Sequence, residues 1–265
     1  MDIKDYKKEL KNRELANNTI TKYLRDVTDF LNFVGDQEVT QGKLISYKGQ
    51  LLEKYKVSTV NNKITIINNY LTFKDKDISV KQERIQRNTT LDDVLTEKDF
   101  GRLVRMAENR EKPRARITML SIYHTGLRVS ELQYLTVEAV KEKHIDINNK
   151  GKYRTVPITN TISKELKRYI KDQGIKDGPI IVNKSGDPLS RSYIFKEMKW
   201  IGGQARLPLR KVYPHSIRHL FAKRYLGQKG NNMFTLADIL GHSSLDTTRI
   251  YSTLSTSEQR ESMDF

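Results

Sequence analysis

Residues 236–251 read LADILGHSSLDTTRIY, and this stretch carries the most distinctive pattern of the chain. An apolar run stops at Gly241, and a glycine at this position is typical of the end of a helix. His242 follows at once, and the polar residues after it predict another short helix that leads to Tyr251. Because any of the 13 tyrosines could simply pack at the edge of a core, the stretch alone gives Tyr251 no role.

Residues 212–226, VYPHSIRHLFAKRYL, predict a helix that starts beside a proline. Pro214 suits the first helical position, so His215 and Arg218 lie on one face of the first turn. The exposed N–H groups of that turn attract anions, and the three features together suit a phosphate. A capping role for His215 and an ion pair for Arg218 fit the pattern equally well.

Two further stretches carry candidate cations. HTGLRVSEL puts Arg128 at a turn between helices, where its guanidinium either meets a phosphate or pairs with Glu131 or another acid. The runs KHIDI and YRTVPI flank NNKGK and predict a β-hairpin with lysines at its turn. Lys150 or Lys152 could donate a proton to a leaving oxygen, although most turn lysines are simply solvated.

The net charge of +16, from 48 basic and 32 acidic residues, predicts a polyanionic partner. DNA, RNA and an anionic membrane are all suitable polyanions. The alternative is that the charge only reflects a lysine-rich proteome. The charge is locally concentrated, since no acid occurs between Glu197 and Asp238 while eight basic residues do. A charged N-terminus, no long apolar window and no cysteine lead us to expect an intracellular protein.

Several kinds of active site are missing from the sequence. It contains no phosphate-binding or dinucleotide-binding glycine loop, no His-Glu-x-x-His and no carboxylate cluster of a two-metal nuclease. The absence of cysteine excludes thiolate zinc sites and cysteine nucleophiles. Arginines, a lysine, histidines and a tyrosine beside turns and helix starts remain as candidates.

The periodicity predicts two domains. Helical spacing recurs four times before residue 74, which is enough for a small bundle. Residues 74–90 lose that periodicity and predict an exposed linker. We therefore expect an N-terminal domain over 1–80, a linker over 81–92 and a second domain over 93–265. PIIV, residues 179–182, indicates one more strand.

With these motifs assembled, the chain resembles the tyrosine recombinases, the family of Xer-type, phage-integrase and transposon-resolvase enzymes. HTGLRVSEL, PHSIRH and LGHSSLDTTRIY occur in the order and at about the spacing of that family, and the resemblance covers nearly the whole length. It implies a mostly α fold: a four-helix SAM-like core-binding domain, then an α-rich catalytic domain with a small antiparallel β-sheet.

The resemblance also implies a catalytic set, in which Tyr251 is the nucleophile and Glu131 has a supporting role. Its members are two arginines, a lysine, two histidines and a tyrosine: Arg128, Lys150, His215, Arg218, His242 and Tyr251. Lys152 is the alternative lysine, because this hairpin turn is one residue shorter than the family's. Basic residues expected to contact DNA are Lys152, Arg154, Arg206, Arg210, Lys211 and Lys223.

The implied reaction is site-specific cleavage and rejoining of DNA through a 3′-phosphotyrosyl link, with no cofactor and no metal. The implied partners are a double-stranded core site and a homotetramer, or a heterotetramer with a related recombinase, in the cytoplasm at the nucleoid. The length leaves no room for the family's arm-binding domain, so we expect a Xer-like or resolvase role. DNA relaxation of the type IB topoisomerase kind and catalytically silent DNA binding are the alternatives.

Overall fold

The computed structural model describes residues 3–85, 94–149, 152–241 and 248, with Asn149 and Lys152 described by their backbone alone. The chain forms two compact units, Met1–Asn88 and Thr89–Phe265. The helical spacing predicted from the sequence is confirmed, because the fold is mostly α with one small antiparallel sheet. No helix in the described ranges combines the length and apolar character needed to cross a membrane.

The first unit is the predicted bundle of four helices. They are α1 (Ile3–Asn12), α2 (Asn17–Val34), α3 (Gln41–Lys54) and α4 (Val57–Phe73). Apolar residues at helical spacing are fully buried between α2, α3 and α4, among them Phe30, Leu44 and Ile64. Burial of these faces supplies most of the stability of such short helices.

The chain beyond α4 stays attached to the first unit. The Asn68 side chain donates to the carbonyl of Val80 and accepts from its N–H. Asn61 makes the same pair of bonds with Glu83. Two side-chain amides thus satisfy backbone groups as a neighbouring strand would. The first unit therefore includes backbone that the loss of periodicity had assigned to an exposed linker.

The second unit consists of seven α-helices, two 3₁₀ turns and a hairpin within the described residues. Its elements in chain order are α5 (Glu97–Asn109), α6 (Pro113–Thr125), the 3₁₀ turn Val129–Tyr134, α7 (Val137–Glu142), β1 (His144–Asn149), β2 (Lys152–Pro157), α8 (Asn160–Gln173), α9 (Arg191–Gln204), the 3₁₀ turn Leu209–Lys211, α10 (Pro214–Leu226) and α11 (Met233–Leu240).

Helix α6 is the centre of this unit. It packs against α5, α8, α9 and α10, and Ile117, Met119 and Ile122 are buried on different sides of it. Its last residue is followed by Gly126 with φ +67°, a left-handed cap that only glycine adopts readily. The helix therefore stops inside the protein and delivers the next residues to the interior.

The hairpin pairs β1 with β2 in antiparallel register, with Ile147 opposite Arg154 and Ile145 opposite Val156. The prediction of a strand at PIIV is wrong. Pro179 and Val182 make only isolated bridges, to Thr136 and Pro188, while Ile180 and Ile181 are buried in the core. The apolar run therefore reflects core packing of an irregular segment, since Ile180 and Ile181 belong to the main hydrophobic cluster of this unit.

Candidate active site

The start of α10 agrees with the sequence pattern. Pro214 occupies the first helical turn, and His215 and Arg218 follow on the same side of the helix. Arg218 is 1% exposed, whereas His215 is exposed at the mouth of a cavity. Its guanidinium donates to the carbonyls of Gly126 and Leu240, the latter at 2.6 Å. The first turn of α10 thus places the Arg218 guanidinium in the interior and the His215 imidazole at the protein surface.

Arg128 follows Gly126, which has a left-handed backbone, and the buried Leu127, and it is the first partly exposed residue after them. Its Nη1 donates to Glu131 Oε1 at 2.7 Å, and its backbone N–H donates to Glu131 Oε2 at 2.8 Å. The ion pair with Glu131, one of the two alternatives for this arginine, is therefore present. The side chain still keeps 35% of its surface exposed and lines a cavity, so a ligand can reach it.

Glu131 is the acidic centre of the site and is fully buried. Arg154 donates to its Oε2 at 2.7 Å, and Nη1 of Arg218 lies 3.9 Å from the same oxygen. Burial alone would raise the pKa of Glu131, but the hydrogen bonds from Arg154 and Arg128 outweigh it and hold that pKa below its ordinary value. The carboxylate therefore stays charged and fixes two guanidiniums.

The same three arginines bind the end of α11. Arg154 Nε donates to the Ile239 carbonyl at 2.9 Å, Arg218 to the Leu240 carbonyl and Arg128 Nη2 to the Gly241 carbonyl at 3.1 Å. The last carbonyls of a helix lack partners within it and carry partial negative charge, which cations stabilise. Gly241 then ends α11 with φ +63°, as the sequence predicted.

A cavity of about 340 Å³ opens beside these groups. Arg128, His215 and Arg218 line one part of it, and Arg191 and Phe195 of α9 line another. His215 is exposed on one side, but the desolvation of its covered side, followed by the charges of Arg218 and Arg128, lowers the pKa of His215 from its ordinary value. The imidazole is therefore neutral near pH 7 and can accept a proton.

Three of the residues that the resemblance assigned to catalysis lie outside the described residues: Lys150, His242 and Tyr251. Lys152 is the first residue of β2, and its side chain also lies outside them. Arg128, His215 and Arg218 are brought together around one cavity. The described part of the candidate site thus consists of its two arginines and one of its histidines.

The expected DNA-contacting residues occupy different environments. Arg206 and Arg210 are exposed after α9, and Lys211 and Lys223 are partly exposed. Arg154 differs from them, since its side chain is 13% exposed and is bound to Glu131 and Ile239. The structure therefore gives Arg154 internal partners in place of an open face toward a ligand.

The contacts of Arg154 and the place of Arg191 at the cavity are what the sequence interpretation missed. A signal for Arg154 was available, because residues two apart in a strand share a face and Val156 is apolar. Arg154 accordingly lies on the buried side of the hairpin, opposite the fully buried Ile147. No comparable local signal points to Arg191, which reaches the cavity through the packing of α9.

Solved structures share this fold. The XerH site-specific recombinase bound to difH substrate, a pre-cleavage complex, has a TM-score of 0.72 and 21% identity over 94% of this chain and 80% of that one. A lambda integrase tetramer bound to a Holliday junction has a TM-score of 0.78 and 15% identity over 94% and 75%. The architecture is that of DNA site-specific recombinases.

Sequence comparison gives the family. Residues 93–258 match the phage integrase family, and residues 3–76 match the phage integrase N-terminal SAM-like domain. Tyrosine recombinase XerA of Pyrococcus horikoshii is 30% identical over 260 residues, covering 94% of this chain and 87% of the relative. Tyrosine recombinase XerD of Oceanobacillus iheyensis is 28% identical over 264 residues, covering 90% and 88%. The chain belongs to the phage integrase family and is a tyrosine recombinase, an enzyme that cleaves DNA and transfers its strands.

Proposed function

We propose that this recombinase exchanges strands at a specific core site in double-stranded DNA, with Tyr251 as its nucleophile. The observation that carries the proposal is the cavity that Arg128, His215 and Arg218 line together. Two guanidiniums suit the oxygens of a phosphodiester, and the imidazole suits the proton of an attacking hydroxyl. The family's motif pattern supplies the tyrosine.

In the proposed cleavage step, the Tyr251 oxygen attacks phosphorus and its proton passes to His215. The bond from phosphorus to the 5′-oxygen breaks, and Lys150 gives that oxygen a proton. The products are a 3′-phosphotyrosyl link and a free 5′-hydroxyl. A 5′-hydroxyl of a partner strand reverses the step, and no outside energy source is needed because the covalent link conserves that of the phosphodiester.

The cationic residues stabilise the charge that builds up on phosphorus. Arg128 and Arg218 neutralise the added charge of the pentavalent phosphorane, and His242 donates a hydrogen bond to it. An unperturbed phenol has a pKa of about 10, so Tyr251 needs the base that His215 provides at neutral pH. No cofactor and no metal takes part in this scheme.

We propose that the enzyme acts as a tetramer on DNA, formed from four copies or together with a related recombinase. The lambda integrase tetramer on a Holliday junction, which has the same fold, supports this assembly. The Xer names of the relatives support a role in integrating, excising or resolving a mobile element, plasmid or chromosome dimer. Such a substrate requires the enzyme to work at the nucleoid in the cytoplasm.

Basic residues of the second unit are proposed to bind DNA phosphates flanking the cleaved one. They are Lys152, Arg206, Arg210, Lys211 and Lys223. The first unit is proposed to contact the same duplex. Phosphate contacts of this kind give affinity and register, and each neutralised phosphate adds to the salt dependence of binding.

The nucleophile is tested with a duplex selected from a randomised library for binding to the full chain and nicked to trap cleavage. The wild type should form a covalent protein–DNA complex that survives denaturant, and Tyr251→Phe should form none. Tyr55→Phe is the control, since Tyr55 is 46% exposed and its hydroxyl makes no hydrogen bond within the described residues. An undiminished complex with Tyr251→Phe would refute the assignment.

The proton donor is tested with a substrate whose leaving oxygen is replaced by sulfur. A thiolate leaves without protonation, so this substrate should restore cleavage by Lys150→Ala and should not restore cleavage by Lys152→Ala. Rescue of the Lys152 variant alone would transfer the role to Lys152.

A second experiment separates a recombinase from a topoisomerase. It compares recombination between two copies of the selected site with relaxation of an unrelated supercoiled plasmid.

A further inference from the structure

Arg154 is built into the protein interior although its neighbours in β2, Tyr153 and Thr155, are exposed. Its side chain is 13% exposed, and it lies opposite the fully buried Ile147 on β1. Nε donates to the Ile239 carbonyl at 2.9 Å, and Nη2 donates to Glu131 Oε2 at 2.7 Å. Its guanidinium therefore joins two separate parts of the site through two nitrogens.

The Glu131 carboxylate transmits this contact to Arg128. Oε2 accepts from both Arg154 and the backbone N–H of Arg128, while Oε1 accepts from Arg128 Nη1 at 2.7 Å. Without Arg154, Oε2 would keep only the backbone N–H of Arg128 as a donor, and the guanidiniums of Arg128 and Arg218 would be the nearest charges left to compensate the buried carboxylate. Arg128 would then turn toward Glu131 and away from the cavity.

The end of α11 depends on Arg154 in a second way. A Cβ atom added to Gly241 would lie 2.7 Å from Arg154 Nη1 and 2.9 Å from its Cζ, so this glycine packs directly on the guanidinium. The three carbonyls that end α11 are shared among Arg154, Arg218 and Arg128. Arg154 therefore holds the helix that leads into residue 242.

We propose that Arg154 is a positioning residue of the strand-transfer reaction, which aims Arg128 through Glu131 and fixes the end of α11. The inference rests on the proposed function and replaces the expectation that Arg154 binds DNA. A DNA ligand needs donors turned outward, whereas two nitrogens of this guanidinium are bound inside. A lysine could keep the charge but could make only one of the two contacts at a time.

The test measures single-turnover cleavage of the selected, nicked duplex and, separately, its affinity and salt dependence of binding. Arg154→Ala and Arg154→Lys should both cleave about 10²-fold more slowly, the loss typical of a displaced catalytic group. Affinity should stay within about twofold of the wild type, and the salt slope should be unchanged, because no phosphate contact is lost. Arg168→Ala is the matched control, since that arginine is 65% exposed and forms an ion pair with Glu165 at 3.7 Å.

A substrate with a methylphosphonate at the cleaved position separates positioning from a general loss of structure. This group has one charge fewer than a phosphodiester, so it depends less on Arg128. The defect of Arg154→Ala should shrink to a few-fold on it, as should that of Arg128→Ala. An equal defect on both substrates would reduce Arg154 to a structural residue, and a lowered affinity with a smaller salt slope would make it a DNA ligand. Failure of the wild type to form any covalent complex would instead refute the proposed function.

Discussion

Each unit of the chain buries a charged carboxylate, and the two are compensated differently. In the first unit, Asp26 on α2 is 1% exposed and accepts from Lys63 on α4 at 2.8 Å. Asp29 adds a second contact to Lys63 at 3.4 Å, and Arg25 lies 3.5 Å from Asp26. Two acids face two bases. Burial lowers the pKa of Lys63, but the hydrogen bond and charge of Asp26 outweigh it, and the net shift is upward.

In the second unit, the positive charges around Glu131 exceed its single negative charge. Arg128, Arg154 and Arg218 all lie within 4 Å of its oxygens, so one negative charge faces three positive ones among the described residues. The pair of Asp26 and Lys63 is balanced in charge and joins two helices. A cluster with surplus positive charge beside a cavity is prepared for an anion, and its acid serves to fix the cations.

Removal of the acid from the second cluster should have the largest effect. Glu131→Gln keeps the shape but loses the charge, and its amide N–H₂ would meet guanidinium donors. We expect cleavage to fall about 10³-fold and unfolding free energy to drop by about 3–5 kcal/mol. Suicide-substrate cleavage and urea unfolding measure the two quantities. Wild-type values of both would show that the three arginines hold their positions without the carboxylate.

Breaking the balanced pair should affect stability and spare the chemistry. Asp26→Asn leaves the buried Lys63 with Asp29 alone and should cost about 3 kcal/mol in the unfolding of the first unit. The double change Asp26→Leu with Lys63→Met should recover most of that loss, because apolar side chains need no partner. Cleavage at saturating DNA should stay within about twofold of the wild type. A large fall in the cleavage rate itself would mean that the pair serves the reaction.

Two glycines with the same backbone conformation isolate the contact between α11 and Arg154. Gly241 has φ +63° and Gly174 has φ +64°, but only at Gly241 would a Cβ meet a neighbour within 4 Å. Either change to alanine should cost about 1 kcal/mol for the left-handed backbone. Only Gly241→Ala should also slow cleavage, by about tenfold. Equal cleavage by the two variants would contradict a tight fit of Arg154 against the helix end.

The surplus charge should also be visible in the titration of His215, the smallest of these effects. Local packing and the charges of Arg218 and Arg128 lower its pKa, so the ring takes up a proton only below the ordinary value of 6.5. Arg128→Gln removes one nearby positive charge and should move the midpoint upward, toward that value. The midpoint is measured from the chemical shift of the His215 Cε1 signal in an NMR pH titration. An unmoved midpoint would mean that Arg128 contributes nothing to the field at the imidazole.

Local signals in the sequence predicted the elements that bear the site. Pro214 marked the start of α10, Gly241 marked the end of α11, and alternating residues predicted the hairpin. Each of these depends on the conformational preference of one residue or on a short period. The same alternation could have placed Arg154 on the buried face with Val156, but we expected a DNA contact for it.

The partners of these residues were beyond what the sequence could predict. Glu131 meets Arg154 across 23 positions, and Arg154 meets Ile239 across 85. Such pairs depend on how helices and hairpin pack in three dimensions, which no local pattern records. The wrong prediction of a strand at PIIV has the same origin. Ile180 and Ile181 pack in a core that helices distant in sequence form, and a local pattern cannot distinguish this from a strand.

The arginine contacts at the end of α11 also bear on the order in which the enzyme becomes active. Arg128 and Gly241 are 113 residues apart, and Gly126 and Arg218 are 92 apart, so these hydrogen bonds close long loops. Loops of this length form after local helices and hairpins during folding. A growing or half-folded chain therefore cannot assemble the cluster. The enzyme becomes able to cleave DNA only when its last tertiary contacts are in place.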